Sequence, residues 1–172
     1  MPRTRVATPD DAPALAALLT ESREAFEPWE PLRDDEYFTV EKQQSLLADA
    51  LAAYGQGLTV PLVIVDGATV VGRITLNGVT RGALQSASLG YWVGPRFQGR
   101  GFATAAVADA IGLAFGEMRL HRLQAETLLN NVGSQQALLR NGFRPYGVAP
   151  SYLKIAGRWQ DFVLFHLFSG NE

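Results

Sequence analysis

A glycine-rich turn in the second half of the chain combines the residue types that hold a phosphate group. Gln98-Gly99-Arg100-Gly101-Phe102-Ala103 follows a predicted strand and opens a predicted helix. The N-terminus of a helix offers free backbone N–H groups and about half a positive charge. Gly99 and Gly101 would let that backbone approach a ligand closely, while Arg100, and less directly Arg96, would add charge. The turn therefore predicts a pyrophosphate site.

Taken alone, the turn leaves a plainer interpretation open, because two glycines also serve as an ordinary connection from a strand to a helix. Its spacing does not match the GxGxxG pattern of dinucleotide-binding folds, and the strands before it look antiparallel. The chain also lacks the GxxxxGK segment followed by Ser or Thr that marks a nucleotide-binding P-loop.

The elements that would position this turn change type along the chain. After a strand near Arg3–Ala7, Thr8-Pro9-Asp10-Asp11 has the cap, proline and acids of a helix start, and a second helix begins near Thr39. The further predicted elements are strands over Leu58–Val65, Thr69–Asn77, Leu84–Val93 and His121–Leu128, helices over Gly101–Phe115 and Ser134–Asn141, and two strands flanking Ala156-Gly157. An antiparallel meander with one strand–helix–strand crossover predicts an α+β fold, with helices on both faces of a mixed sheet.

The composition excludes several function classes. The 172 residues carry a net charge of −2 and no cysteine, so neither a broad basic field for nucleic acid nor a disulfide or thiolate site is expected. Absence of disulfides fits the cytoplasm, and no stretch reaches the roughly 18 apolar residues of a membrane span. His121 and His166 lack a metal-ligand spacing, so no metal is expected. We expect a single domain over residues 1–172.

Several segments together resemble the GCN5-related N-acetyltransferase (GNAT) superfamily. Gln98–Ala103 resembles its Q/R-x-x-G-x-G/A signature, and the other landmarks follow in order: Ser88–Val93 its fourth strand, Asn131-Val132-Gly133-Ser134 its N-x-x-S, and Leu139–Phe143 its closing GF segment. Pro28–Arg33 and Tyr152–Asp161 resemble the RimJ/RimL branch, and the RimJ type more closely. The resemblance implies a mostly antiparallel sheet splayed at its fourth and fifth strands. It also implies acetyl transfer from acetyl-coenzyme A (acetyl-CoA) to the α-amino group of a protein N-terminus, that of ribosomal protein S5 in the RimJ type.

The resemblance also implies roles for individual residues in cofactor binding. The backbone of Trp92 and Val93 would pair with the pantetheine arm and polarise the thioester carbonyl, while Gln98–Ala103 would hold the pyrophosphate. Asn131 would bind the pantetheine. Ser134 would protonate the departing thiolate, with a helix-cap role as the alternative or as a second role.

Glu126 is the candidate general base. It lies five residues before Asn131, where several superfamily members place a catalytic carboxylate, and strand alternation puts it on one face with Gln124 and Leu128. An exposed strand glutamate without a catalytic role is the alternative. Ser88 and Leu153 stand where relatives often have carboxylates, which leaves Glu30 or a water molecule as other candidates.

Aromatic side chains in the proline-rich loop and the C-terminal segment are candidates for the acceptor groove, with core packing as the alternative. They are Trp29, Tyr37, Tyr152 and Trp159. Three functions stay open at this stage: acetylation of a protein N-terminus, acetylation of a small amine such as a polyamine or antibiotic, and a silent acetyl-CoA-binding module. The oligomeric state is also open, a homodimer included.

Overall fold

The computed structural model describes residues 3–170, and its central feature is a seven-stranded sheet in the order β1-β2-β3-β4-β5-β7-β6. The strands are β1 Thr4–Val6, β2 Val60–Asp66, β3 Thr69–Thr80, β4 Ser86–Val93, β5 Arg122–Leu128, β6 Arg144–Ile155 and β7 Arg158–Phe168. Neighbouring strands are antiparallel except for the parallel pair β4 and β5. The predicted α+β fold with a mixed sheet is confirmed, and the first two and last two residues of the predicted domain lie outside the described residues.

Helices cover both faces of the sheet, as predicted. They are α1 Ala12–Phe26, α2 Val40–Gly55, α3 Phe102–Gly112 and α4 Val132–Arg140. The two faces can be followed on β2, where side chains alternate: Val63 packs with Leu15 of α1 and Leu47 of α2. The neighbouring Ile64 belongs to the larger core that includes Ala106 of α3 and Leu138 of α4.

The ends of several elements differ from the sequence prediction for local reasons. The helix predicted to begin near Thr39 is α2, and Thr39 caps it by accepting a hydrogen bond from the Lys42 backbone N–H. The helix predicted over Gly101–Phe115 ends as α3 at Gly112, because a π-helical turn over Leu113–Glu117 replaces the last α-helical turn. The strand predicted from Leu84 begins only at Ser86, since Gln85 has a φ of 47° and so leaves the extended conformation.

The parallel strands β4 and β5 separate after a short contact. In the described chain their pairing covers Ser86–Ser88 against Arg122–Gln124 and no more. Beyond that point β4 continues to pair with β3, and β5 with β7 along its whole length. The facing edges of residues 89–93 and 125–128 therefore border an open slot, where the backbone groups that point into the gap are not paired with another strand. The predicted splay of the fourth and fifth strands is confirmed.

Gly72 allows β3 to approach the end of β4 closely, beside Trp92 and Val93. A Cβ at this position would collide with the backbone carbonyl of Trp92 and lie 3.0 Å from the Cα of Val93. We expect Gly72→Ala to lower the free energy of unfolding by about 1–3 kcal/mol, because neighbouring backbone must move.

Gly112→Ala is the matched control for chemical denaturation of both variants. No described atom lies within 4 Å of a Cβ built at Gly112, whose φ of −57° is helical. This control should keep or gain about 0.5–1 kcal/mol of stability. Equal unfolding free energies for the wild-type protein and the Gly72→Ala variant would contradict the close approach of the two strands.

Candidate active site

A groove of about 720 Å³ runs from the open slot along the N-termini of α3 and α4. It brings together most of the predicted site residues: Trp29, Glu30, Trp92, Val93, Gln98, Gly99, Gly101, Phe102, Ala103, Asn131 and Ser134. The predicted residues of the described chain that are not part of its lining are Arg96, Arg100, Glu126, Tyr37, Tyr152 and Trp159. The groove is therefore the place to test the predicted fit to a phosphate-bearing co-substrate.

The glycine-rich turn has the shape of an anion cradle. Gly99 and Gly101 have φ values of 73° and 82°, and no described atom lies within 4 Å of a Cβ built at either. Gly101 is the N-cap of α3, and no side chain of the described residues caps this helix end. The first backbone N–H groups of α3 are consequently free to donate to a pyrophosphate, so these residues fit the CoA moiety.

Two side chains of the turn contact other parts of the protein. The Gln98 amide donates a hydrogen bond of 3.0 Å to the carbonyl of Val93 and so ties the turn to the end of β4. The Arg100 guanidinium pairs with Asp66 at 3.2 Å and stacks over the Phe102 ring at 5.1 Å. A phosphate contact by the Arg100 side chain would require it to leave Asp66, and this contact stays a prediction.

A different cation, Arg140, lines the groove. It lies at the C-terminal end of α4. In the sequence it appeared only as part of the Leu139–Phe143 motif, and no local signal separated its side chain from other surface arginines. Arg96, the weaker sequence candidate, pairs instead with Glu21 at 3.5 Å.

The start of α4 holds two predicted site residues in fixed geometry. The Asn131 side-chain oxygen accepts a hydrogen bond of 3.1 Å from the Ser134 backbone N–H, so Asn131 is the N-cap and α4 begins at Val132. The helix-cap interpretation of Ser134 is therefore wrong, and its hydroxyl is available for another contact. That hydroxyl oxygen lies 2.8 Å from the phenol oxygen of Tyr91, a groove residue that the sequence analysis did not single out.

Glu126 lies where β4 and β5 part, on the far side of the slot from the turn. Leu123 and Ala125 pack in the core under α3 and α4, so alternation places Glu126 on the opposite face of the sheet. The Ser88 hydroxyl lies 3.2 and 3.3 Å from the two carboxylate oxygens of Glu126. Burial raises the pKa of Glu126, and hydrogen bonding by Ser88 and Tyr152 partly offsets that rise. The structure thus brings Ser88, Glu126 and Tyr152 close together, although the sequence patterns that pointed to them are separate.

The proline-rich loop contacts the turn between β6 and β7. The Glu30 backbone carbonyl accepts a hydrogen bond of 2.9 Å from the Ala156 N–H, and Leu32 packs against Gly157. The Glu30 side chain is half-buried, and burial raises its pKa, partly offset by the charge of Arg33. The two segments that the sequence marked for acceptor binding therefore form one surface beside the groove.

The four aromatic candidates do not share one environment. Trp29 lines the groove, while Tyr37 lies under the Arg33 guanidinium at 4.3 Å, behind the loop. Tyr152 packs on Phe162 near Glu126. Trp159 is 65% exposed, so it is neither core nor groove wall in the described residues.

Residues 3–170 contain no group of three or more His, Asp or Glu side chains arranged to hold a metal ion. None of the helices in the same range combines the length and the hydrophobicity that crossing a bilayer requires.

Comparison with known proteins agrees with this geometry. Residues 4–144 match the family model for the acetyltransferase (GNAT) domain. The chain is 33% identical to the probable N-acetyltransferase YjcK of Bacillus subtilis, over 94% of this chain and 91% of that protein. It is 32% identical to the ribosomal protein uS5-alanine N-acetyltransferase of Escherichia coli, over 90% of this chain and 80% of that protein. RimJ of Mycobacterium smegmatis in complex with CoA-disulfide has a TM-score of 0.93 and 33% identity, covering 96% of this chain and 80% of that one.

Gly101→Ala tests the anion cradle. A side chain there is strained by the positive φ and also projects into the open space of the cradle. We expect a stability loss of about 1–2 kcal/mol from the strained backbone. We also expect the Kd for CoA, measured by calorimetry, to rise about tenfold or more as phosphate donors are blocked.

Gly57→Ala separates these two effects. Gly57 has a φ of 73°, open space around its Cβ position, and a location after α2 away from the groove. It should show a similar stability loss with an unchanged Kd for CoA. Equal weakening of CoA binding in both variants would assign the effect to general strain.

Proposed function

The chain belongs to the GNAT acetyltransferase family, and from that membership we propose that its acceptor is the α-amino group of a protein N-terminus. Its co-substrate is acetyl-CoA, which structural relatives in the family bind. The proposed acceptor is of the ribosomal protein S5 type, a protein whose first residue is alanine. Support comes from two relatives named for that terminus, at 32% and 28% identity. Such an acceptor would be met in the cytoplasm.

The main observation in favour of an active enzyme is the position of the Glu126 carboxylate, at the point where β4 and β5 separate. The Ser88 hydroxyl lies 3.2 and 3.3 Å from its two oxygens, and burial raises its pKa. A raised pKa makes a carboxylate a better proton acceptor for an ammonium group that titrates near neutral pH. A free α-amino group has a pKa of about 7.7–8.0, so it needs such a base.

The proposed reaction divides its parts between the two sides of the slot. Glu126 first takes one proton from the α-ammonium group, directly or through one water molecule, and the neutral amine nitrogen then bonds to the acetyl carbon. The backbone of β4 at Trp92 and Val93 holds the donor and polarises its carbonyl. The carbon–sulfur bond breaks with its electron pair passing to sulfur, which accepts a hydrogen bond from the Ser134 hydroxyl and takes up one proton from solvent through it. The nitrogen loses its second proton to solvent as the amide forms, and Glu126 then returns the first one, so each turnover releases one net proton.

Acceptor choice is assigned to Trp29, Glu30 and Tyr152. A second cavity of about 240 Å³ lies beside the groove and shares Phe26 and Glu30 with it. Its described charged lining consists of two acids, Glu27 and Glu30, and two bases, Arg23 and Arg33. The charges balance, so the cavity lacks the acidic excess that would favour a polyamine acceptor. An uncharged or mixed peptide terminus is the better match.

The alternative to an enzyme is a module that binds CoA without catalysing a reaction. The serine at position 88, where relatives often have a carboxylate, suggested this alternative. In this chain Ser88 instead binds the carboxylate of Glu126. The acid is therefore supplied from β5 and not from β4, which favours an active enzyme.

The proposal is tested with acetyl-CoA and short peptides that differ in their first residue. We expect thiol release and a mass increase of one acetyl group for peptides that begin with alanine, and none for the same peptides blocked at the amine. Turnover of spermidine or an aminoglycoside with no peptide turnover would move the acceptor to small amines. CoA binding without turnover of any amine would support the silent module.

Glu126→Gln should lower kcat about a hundredfold or more near neutral pH, because the base is lost while the shape is kept. Part of this loss should be recovered at high pH, where the acceptor amine is already deprotonated. Glu117→Gln, a change at an exposed acid at the end of the π-helical turn, is the matched control and should keep the wild-type rate. Wild-type rates for Glu126→Gln at every pH would remove Glu126 from the mechanism.

The same variant makes a prediction about stability. Burial raises the pKa of Glu126 above its ordinary value of 4.5, so the folded state binds this proton more tightly than the unfolded state does. The wild-type protein should therefore lose stability relative to Glu126→Gln as pH rises from about 4.5 through the raised pKa. Thermal unfolding of both proteins between pH 4 and 8 measures this difference. A Gln variant that becomes relatively less stable as pH rises would contradict the raised pKa.

A further inference from the structure

Tyr91 lies within hydrogen-bond distance of Ser134, the residue assigned to the leaving group. It lies on β4, one residue before Trp92, and its side chain reaches across the groove to the first turn of α4. Its phenol oxygen lies 2.8 Å from the hydroxyl oxygen of Ser134 and 3.1 Å from the Ser134 backbone carbonyl. Both hydroxyl groups line the groove. The contact therefore sits at the position assigned to the leaving sulfur.

The hydrogen atoms of these two hydroxyl groups allow two arrangements. If the Tyr91 phenol donates to the carbonyl, the Ser134 hydroxyl can donate to the phenol oxygen, and its hydrogen then points away from a ligand. If the phenol donates to the Ser134 oxygen, the single hydrogen of Ser134 is free to point into the groove. Only the second arrangement lets Ser134 donate to sulfur.

We propose that Tyr91 is a positioning residue, which donates its phenol hydrogen to the Ser134 oxygen and so aims the Ser134 hydroxyl at the departing sulfur. The inference rests on the proposed function, since it assumes that Ser134 serves the leaving group. Asn131 supports the same alignment from the other side, because its side chain fixes the backbone N–H of Ser134 at 3.1 Å. Ser134 is thus held at its backbone and at its side chain by two different residues.

The phenol acts through its hydrogen bond and does not itself lose the proton. Burial raises the pKa of Tyr91 to about 12. A tyrosinate at that site would be unstable near neutral pH, so a proton relay that ends on Tyr91 is disfavoured. A donated hydrogen bond makes the Ser134 oxygen less electron-rich and its remaining hydrogen a stronger donor. The expected effect is therefore on the stability of the thiolate.

The first test titrates the thiol of CoA bound to the protein, followed by the ultraviolet absorbance of the thiolate, and needs no acceptor. We expect the pKa of the bound thiol to lie below that of free CoA, since hydrogen bonds to a charged form favour it. Tyr91→Phe and Ser134→Ala should each raise it, by about one unit for Ser134→Ala. The double variant should match Ser134→Ala. Tyr54→Phe, at an exposed tyrosine of α2, should leave it unchanged.

Kinetics with a peptide acceptor give the second test. Tyr91→Phe should lower kcat about tenfold with little change in the KM for acetyl-CoA, and should add nothing in a Ser134→Ala background. Additive effects in the double variant, or a Tyr91→Phe variant with wild-type thiol pKa, would overturn the proposal. So would an unchanged thiol pKa in Ser134→Ala. Absence of any peptide turnover would contradict the proposed function alone, because the thiol titration remains readable.

Thermal unfolding of each variant controls for loss of fold. If Tyr91→Phe is unstable, 3-fluorotyrosine at position 91 provides another measurement, since it keeps the hydroxyl and makes it a stronger donor. That replacement should lower the pKa of the bound thiol. An unchanged or raised value would also overturn the positioning role.

Discussion

The short parallel contact between β4 and β5 is the constraint on which the site depends. Each strand is bound along its length by its outer neighbour, β3 or β7, so neither can turn to close the gap. The two strands are no longer paired after Ser88 and Gln124. The two strand edges that face this gap are unusual in an otherwise paired sheet, because their backbone groups can bind a ligand in place of another strand. A flat, fully paired sheet with the same side chains would have no place for a pantetheine arm.

Hydroxyl groups order the reactive residues on both sides of this gap. Ser88 binds the carboxylate of Glu126 on one face of the sheet, and Tyr91, three residues later on the same strand, binds Ser134 on the other. Because 88 is an even and 91 an odd position of β4, the two side chains point to opposite faces of the sheet. One therefore contacts the proposed base and the other contacts the residue proposed to serve the leaving group. Neutral contacts of this kind hold geometry without fixing a charge, which leaves the carboxylate free to gain and lose a proton.

Local patterns in the sequence predicted the elements and the phosphate cradle, because a glycine turn, a Thr39 cap and a two-residue hairpin depend on near neighbours. The side-chain pairings were beyond such patterns. Arg100 with Asp66, Ser88 with Glu126 and Tyr91 with Ser134 are separated by 34, 38 and 43 residues. Their meeting depends on strand register and on the packing of α4, which no single segment encodes. The cap formed by Asn131 is a local contact and could have been predicted, but the motif pointed to a role of Asn131 in binding pantetheine instead.

The hydrogen bond between Glu30 and Ala156 joins segments from opposite ends of the chain at the acceptor surface. Its consequence is evolutionary. An insertion or a changed turn in one segment would displace the other, so new acceptor preferences would arise through paired changes in the loop and the hairpin. The cradle and the slot lie outside that pair and can stay constant while it varies. A new acceptor preference would therefore require joint changes in this one patch and none in the framework that binds CoA.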